Sequence, residues 1–406
     1  MPDSNATLSV PRRPVFMPLD IATLLFAMTI GMATMAVALP AVMGQVSMPA
    51  RRAQAGVVLQ AVGWALLLMS GVVESGGGAD RTLSTLAMVG IAGGLALNAT
   101  AFDLWCGRVA HDRAPALIAL VLPIGYALGF SNYAFRVGWA NGLLTLQMAL
   151  VAAALWRTPE VPVGRWRLLL IGSLVAQMVV TAWRGVLGAF FTESYPTFLA
   201  PHPVNVAFAI IGNATTVLSL VAILLAHRDE AARELEHLAT FDDLTGVFNR
   251  RAWLAKAATE MAVSVRYGYP VAVVMLDLDH FKQVNDSRGH DAGDRALQFV
   301  AQALRASVRA GDVVGRHGGE EFCVLMHHGD HAAAQAFDRR LRQQLTDAAL
   351  PALGFALSYS AGIAMRNSPL DTLEAMIKRA DATLYRAKAQ GRDRTLDARG
   401  MTLQMA

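Results

Sequence analysis

The residues up to Ala226 contain seven long apolar stretches, and this pattern restricts the fold more than any other feature of the chain. The stretches lie at roughly 19–43, 54–74, 83–102, 115–134, 138–156, 167–191 and 204–226. Each is long enough to cross a hydrocarbon layer of about 30 Å as a helix. The chain is 54% hydrophobic and only 16% charged, which is too apolar for a wholly soluble protein. We therefore expect an N-terminal all-α polytopic membrane bundle of about seven transmembrane helices.

Arginines in the loops predict which end of this bundle faces the cytoplasm. Seven spans would put the two ends of the bundle on opposite sides of the membrane. With a cytoplasmic C-terminal half, the inside loops carry Arg51, Arg52, Arg108, Arg113, Arg157, Arg165 and Arg167, and the outside loops carry Arg81 and Arg136, apart from Arg12 and Arg13 on the N-terminal tail. The positive-inside rule favours this arrangement, so we expect a multi-pass protein of the cell inner membrane. The first stretch shows no convincing cleavage site and is interpreted as retained.

Charge and cysteine usage exclude several other classes of function. The formal net charge of +4 needs no nucleic-acid partner to explain it, so neither DNA nor RNA is expected as a partner. The two cysteines, Cys106 and Cys323, lack the spacing of a metal site. A reducing compartment also argues against a disulfide, and both are predicted to be structural.

Arg184 is a charged residue inside the sixth apolar stretch, and two readings of it stay open. A charge at membrane depth is costly and usually faces the bundle interior, which makes Arg184 a possible sensor contact for a carboxylate-bearing signal or for Glu74. Alternatively, the side chain snorkels to the headgroups beside Trp183 as an interfacial anchor. A transporter function is disfavoured, since the bundle has few buried charges to form a pathway.

The composition changes after Ala226 and suggests a helical linker between two domains. In the stretch 227–241, Ala231, Leu235 and Leu238 are spaced like the contact positions of a two-stranded coiled coil, although a solvated helix would show the same short pattern. The predicted organisation is a tail at 1–18, a membrane domain at 19–226, the linker at 227–241, a second domain at 242–396 and a tail at 397–406.

A hairpin with two glycines and two acids is the most distinctive motif of the second domain. The stretch Arg316–Phe322 reads Arg-His-Gly-Gly-Glu-Glu-Phe between two strand-like runs, with Gly318 and Gly319 as the turn pair. Glycine has no Cβ, so backbone there can approach a ligand closely. The alternative is an ordinary turn with solvated glutamates.

A buried strand at about 270–277 ends in two acids. Asp277 and Asp279 share a face because strand side chains alternate, and an acid at the end of a buried strand is a candidate ligand for a hard cation. Lys282 downstream supplies charge for a phosphate, and Asn285 and Asp294 have the donors and acceptors to read a purine edge. Taken singly, Asn285 and Asp294 are equally consistent with a turn cap and a helix start.

Five motifs in this order resemble the GGDEF family of diguanylate cyclases, over roughly residues 240–396. They are Asp242–Arg251, Asp277–Asp294, Gly318–Phe322, Ser360–Ala364 and Ala380–Lys388. Glu320 stands where the family name has Asp, and Asp393 stands where Asn is frequent.

The resemblance implies a role for each matching residue. Asp277, the carbonyl of Leu278 and Glu320 would hold Mg²⁺ or Mn²⁺, and Glu320 and Glu321 would be catalytic, with the split between them open. Asn285 and Asp294 would select guanine, and Gly318 and Gly319 would let the backbone lie against the nucleotide. The triphosphate would be neutralised by Lys282, Lys388 and Arg392.

The same resemblance implies that two domains condense two GTP molecules into cyclic di-GMP across a homodimer interface. It also implies an inhibitory product site at Arg309 and Asp312, with Arg340 as a further candidate. The alternative there is a helix end followed by a turn. A catalytically silent module that binds GTP or cyclic di-GMP is the rival to an enzyme, and the intact residue set favours the enzyme.

The order of elements predicts an α+β palm with a central sheet flanked by helices. The predicted helices are 244–266, 292–309, 331–347 and 370–390, and the predicted strands are 270–277, the hairpin across 313–326, and 355–365.

Overall fold

A computed structural model describes residues 20–398 apart from 45, 194, 196, 198, 200 and 369. The predicted tail at 1–18, with Arg12 and Arg13, and nearly all of the predicted tail at 397–406 therefore lie outside the described residues. The chain divides into two compact units, Met1–Ala232 and Arg233–Ala406.

The first unit is built from helices. They are α1 (Ile21–Met43), α2 (Met48–Ser70), α3 (Gly78–Trp105), α4 (Arg113–Leu128), α5 (Tyr133–Trp156), α6 (Trp166–Phe190) and the larger part of α7 (Pro203–Thr240). Among the described residues, six of these helices are long and apolar enough to cross a membrane, and α4 is not one of them. The unit therefore has the helices of a membrane anchor.

Helix α4 is shorter than the predicted fourth stretch, so the expected count of about seven spans is not confirmed. Its 16 residues rise about 24 Å, less than a hydrocarbon layer of about 30 Å. The predicted stretch extends to residue 134, but α4 ends at Leu128. Asn132 caps the next helix, α5, because its side chain accepts a hydrogen bond from Phe135 N at 3.0 Å. Asparagine is a preferred N-cap residue, so Asn132 starts a new helix and the predicted fourth stretch does not continue as one helix.

The second unit is a five-stranded mixed sheet with helices on both faces. Its strands are β1 (Val271–Leu278), β2 (Val313–Gly318), β3 (Glu321–His327), β4 (Tyr359–Met365) and β5 (Thr395–Asp397), in the order β2-β3-β1-β4-β5. Its helices are α8 (Arg250–Tyr267), α9 (Phe281–Arg288), α10 (His290–Ser307), α11 (His331–Leu353) and α12 (Leu373–Ala389). Strands β4 and β5 pair in parallel, whereas β1 pairs antiparallel with β3 and β4, and β2 pairs antiparallel with β3.

Strand β1 is buried along its whole length because it lies between two hydrophobic clusters. Val274 and Leu276 pack in the cluster that includes α10 and α11. Val273 and Met275 pack on the opposite face, in the cluster that includes α8 and α12. Since side chains alternate along a strand, Asp277 belongs to the face that α12 covers.

The predicted α+β architecture is confirmed, with several boundaries corrected. Helix α8 begins at Arg250 rather than 244, because Gly246 has a positive φ of 64° and Asn249 caps the helix. Strand β4 begins at Tyr359 rather than 355. The short elements α9 and β5 were not predicted.

Candidate active site

Asp277 is the acid around which the candidate site is built. It lies near the end of β1, is 5% exposed, and its Oδ2 lies 2.7 Å from Lys388 Nζ of α12. Burial raises the pKa of Asp277, the hydrogen bond and charge of Lys388 lower it, and Glu320 and Glu321 raise it again, with a net upward shift. A cation at this carboxylate would therefore offset both its burial and the repulsion of the two glutamates.

The hairpin between β2 and β3 brings Glu320 and Glu321 to the same end of the sheet. Glu321 is the register partner of Asp277 on the adjacent strand, and Leu278 N lies 3.4 Å from Glu320 O. The residues predicted to hold metal, Asp277, Leu278 and Glu320, are thus brought together by one pair of antiparallel strands.

The position of the turn is shifted by one residue from the prediction. Gly318 pairs with Glu321, so the two central residues of the turn are Gly319 and Glu320 rather than Gly318 and Gly319. A register shift between Arg316 and Gly318 causes this change, because it inserts His317 as an extra residue. A Cβ on Gly319 would meet no atom within 4 Å, which leaves open space beside the turn.

The donor set fits a magnesium ion that is shared with a ligand. The described residues contain no group of three or more His, Cys, Asp or Glu side chains that could hold a metal by themselves. The predicted set has only two carboxylates, Asp277 and Glu320, and one backbone carbonyl. Magnesium is usually bound in this way, by one or two carboxylates with water and substrate phosphates completing its shell.

Asn285 and Asp294 lie on two successive helices that meet at a glycine. A Cβ on Gly293 of α10 would lie 1.9 Å from Asn285 Oδ1 of α9, so only glycine allows this close approach. Asp294 is the next residue and is exposed, and Lys282 is exposed on α9. The two predicted guanine readers therefore belong to neighbouring elements.

Arg316 is a functional candidate that sequence reasoning did not single out. Its Nη2 donates to Gly319 O at 2.7 Å and its Nη1 donates to Asp242 Oδ1 at 2.9 Å, so it ties the turn to the segment before α8. Burial alone would raise the pKa of Asp242, but hydrogen bonds from Thr245 and Arg316 lower it overall. A guanidinium fork of this kind fixes the turn that carries Glu320. The sequence signals were that Asp242 begins the first matching motif and that Arg316 lies two residues before Gly318.

Asp279 has a structural role although it was predicted on the same face as Asp277. Its carboxylate accepts hydrogen bonds from Ser360 Oγ at 2.8 Å, Ser358 Oγ at 3.2 Å and Asp393 N at 2.9 Å. These bonds join the end of β1 to β4 and to the segment after α12. Arg392, the other predicted phosphate ligand there, is exposed and has a positive φ of 61°.

Cys323 has the buried environment expected of a structural cysteine. Burial raises the pKa of its thiol, and its Sγ lies 3.4 Å from Gly315 O. Cys106 is also buried.

The predicted inhibitory motif forms a turn between α10 and β2. Asp312 accepts from Arg309 N and from His327 N, both at 2.8 Å, so its carboxylate shapes the turn while keeping lone pairs for a further donor. Arg309 is exposed, whereas Arg340 donates twice to Ser307 O, at 3.1 and 2.7 Å. Asp312 and Arg340 thus have structural contacts as well.

The fold and the site define an α+β domain with an acidic site at one end of its sheet, bordered by a glycine turn and a lysine. The family described as diguanylate cyclase, GGDEF domain, matches residues 239–394. The match assigns this domain, and not the helical unit before it, to the GGDEF family.

Individual relatives show how far the similarity extends. The probable diguanylate cyclase DgcC of Escherichia coli is 36% identical over 167 residues, which are 41% of this chain and 45% of DgcC. The cyclic di-GMP phosphodiesterase NbdA of Pseudomonas aeruginosa is 36% identical over 176 residues, or 43% of this chain and 22% of NbdA. The chain therefore spans less than half the length of these curated relatives.

A solved structure gives a match of similar extent. The GGDEF domain of DgcB from Caulobacter crescentus, in complex with c-di-GMP, is 29% identical, covers 40% of this chain and 96% of its own, and has a TM-score of 0.37.

Proposed function

We propose that this protein is a membrane-anchored diguanylate cyclase that condenses two GTP molecules into cyclic di-GMP and pyrophosphate. The observation that carries the proposal is the meeting of Asp277, Glu320 and Glu321 at one end of the sheet, with Lys388 Nζ 2.7 Å from Asp277 Oδ2. This group of charges suits the phosphates of a nucleotide and the divalent ion that accompanies them.

Each half of the nucleotide has candidate ligands. Open space beside Gly319 allows the protein backbone at Gly318 and Gly319 to lie against the nucleotide. Positive charge for the triphosphate comes from Lys282, Lys388 and Arg392. Asn285 and Asp294 supply an amide and a carboxylate for guanine, whose edge carries both donors and acceptors.

The chemistry requires positioning more than covalent participation by the protein. A bound Mg²⁺ or Mn²⁺ would neutralise charge that develops on the reacting phosphate, held by Asp277, Glu320 and the carbonyl of Leu278. The carboxylate of Glu320 orients and helps to activate the attacking 3′-hydroxyl, and Glu321 supports the metal site. Arg316 keeps Glu320 in place through Gly319 O.

The reaction needs two copies of the domain, because each holds one GTP and the hydroxyl of one attacks the α-phosphate of the other. The C-terminal part of α7 offers a way to pair them. Leu235 and Leu238 are 66% and 45% exposed there, at the spacing of coiled-coil contacts. A parallel pair of these helices would form the homodimer. The loop arginines support an inner-membrane protein with this domain in the cytoplasm.

The guanine contacts give a test of the substrate. We expect Asp294→Asn to raise the KM for GTP about 10-fold or more, because the carboxylate that accepts two guanine N–H groups is lost, while kcat changes less. Steady-state rates with GTP and with ATP measure this directly. Asp347→Asn, at an exposed position of α11, is the matched control. An unchanged KM for GTP would remove Asp294 from the site.

We also propose that cyclic di-GMP inhibits the enzyme at Arg309 and Asp312, with Arg340 as a weaker partner. The exposure of the Arg309 side chain supports this, since an Arg fork can bind a phosphate or a guanine edge.

Arg309→Ala should relieve product inhibition and leave the initial rate nearly unchanged. The substitution removes the fork but keeps the Arg309 N to Asp312 bond that shapes the turn. Inhibition curves with added cyclic di-GMP should shift by about 10-fold or more, as expected for a charged hydrogen-bond pair. Arg266→Ala, another exposed arginine, should behave like wild type. If both variants keep the wild-type inhibition constant, Arg309 has only its structural role.

A further inference from the structure

The first unit encloses a large cavity among its helices. Its volume is about 690 Å³, within the range of about 300–1,000 Å³ typical of small-molecule sites. Its walls come from the seven helices α1 to α7, represented by Met28 of α1, Trp64 of α2, Met88 of α3, Tyr126 of α4, Met148 of α5, Leu174 of α6 and Phe208 of α7.

One part of the cavity wall is basic. In the part of the chain that the structure describes, three charged residues line the cavity, Arg136, Arg184 and Asp80, so this lining has an excess of one positive charge. Asp80 accepts a hydrogen bond from Gly76 N at 2.9 Å. Since the surroundings are apolar, the excess positive charge favours an anionic occupant.

Arg184 is fixed in the wall rather than extended to the outside. It is 4% exposed, its Nε donates to Tyr195 Oη at 3.1 Å, and its Cζ lies 3.9 Å from the centre of the Phe208 ring. Tyr195 in turn donates to Asn205 Oδ1. This contradicts the snorkelling alternative. The hydrogen-bond partner is Tyr195 rather than Glu74, which is exposed.

Polar atoms without partners point to a ligand that carries hydrogen-bonding groups. Among the described residues, Gln60 Nε2, Asn98 Oδ1, Gln177 Oε1 and Tyr133 Oη are buried and lack a hydrogen-bond partner, and all four side chains line this cavity. Gln177 is 8% exposed. Such atoms are costly to leave unpaired, and donors and acceptors are both present among them.

Much of the remaining wall is apolar and adaptable. It includes five methionines, Met28, Met32, Met35, Met88 and Met148. Methionine is unbranched and flexible, so such a wall accommodates a flexible hydrocarbon chain better than one rigid shape.

We propose that this cavity binds an amphipathic organic anion, a monocarboxylate with an apolar chain and a hydroxyl group. The carboxylate pairs with Arg184, the hydroxyl pairs with the amide of Gln177, and the chain lies against the methionines. The inference concerns binding alone and does not depend on the proposed cyclase activity.

Equilibrium binding of radiolabelled 3-hydroxydecanoate to the full chain tests the proposal, in nanodiscs of phosphatidylcholine with empty nanodiscs subtracted. We expect saturable binding at one site per chain, about 10-fold or more tighter than that of 1,3-decanediol, in which an uncharged hydroxymethyl group replaces the carboxylate. Adding phosphatidylglycerol to the discs tests the other class of amphipathic anion: competition would assign the site to a lipid phosphodiester and overturn the carboxylate proposal, and lack of competition supports a free acid.

Four variants locate the site. Arg184→Gln should weaken binding of 3-hydroxydecanoate about 10-fold or more, and Gln177→Leu should weaken it while sparing decanoate. Ala140→Phe fills the cavity wall without touching the polar groups and should abolish binding even if Arg184→Gln fails to fold. Arg51→Gln, at an exposed arginine of the same unit, is the matched control. Equal affinity for the acid and the diol, or full binding by Ala140→Phe, would overturn the proposal.

Discussion

Replacing Glu320 by Gln is expected to lower the rate of cyclic di-GMP formation by about 100-fold or more while the protein stays folded. The substitution removes one of the two carboxylate charges available to the metal and the negative charge placed beside the attacking hydroxyl. It keeps the size of the side chain, and the half-exposed turn position imposes no packing penalty. Initial rates with GTP and Mg²⁺ measure the loss, and thermal unfolding verifies the fold.

The matched control for this prediction is Glu374→Gln, which changes an exposed glutamate in the first turn of α12. It should keep the wild-type rate. Wild-type turnover by Glu320→Gln would show that the turn carboxylate is not part of the reaction.

Replacing Gly362 by Ala is expected to unfold or severely destabilise the second unit. A Cβ at this position of β4 would lie 2.1 Å from Ala380 O and 2.3 Å from Leu384 N, both backbone atoms of α12. Backbone cannot move aside as a side chain can, so α12 must shift away from the sheet. We expect a cost of about 3 kcal/mol or more, at the upper end for overpacked cores, measured by denaturant unfolding.

The same chemical change at Gly319 provides the control. Its added Cβ would meet nothing within 4 Å, and its φ is not positive, so Gly319→Ala should leave the free energy of unfolding unchanged. If Gly362→Ala proved as stable as Gly319→Ala, the close packing of α12 on β4 would be wrong.

The second unit was largely predictable because its long elements have strong patterns. The continuous apolar run of β1 and the two runs around the glycine pair gave the central strands. Helix α9 was not predicted because it has only eight residues, one of them buried, and therefore shows no apolar face. The predicted turn lies one residue too early because the sequence does not show the strand register, and the register makes His317 an extra residue.

The first unit was predictable as a set of helices but not as a binding site. The apolar stretches located the helices, yet the end of α4 depended on the cap at Asn132. The inward direction of Arg184 could not be deduced either, because a contact inside the bundle and an interfacial anchor fitted the sequence equally well. In the structure Arg184 is buried, whereas Trp183 beside it is 56% exposed. The unpaired atoms of Gln60, Asn98 and Gln177 come from three different helices and meet only in the fold.

Product analysis of the purified chain with GTP and Mg²⁺ tests the central claim most directly. The account predicts that cyclic di-GMP forms with release of two pyrophosphates for each product molecule. It also predicts that the rate per protein molecule falls when the protein is diluted below the dissociation constant of its dimer. Binding of GTP without turnover would contradict it and leave the domain as a silent nucleotide-binding module. Release of GDP and inorganic phosphate would also contradict it, because the domain would then hydrolyse GTP.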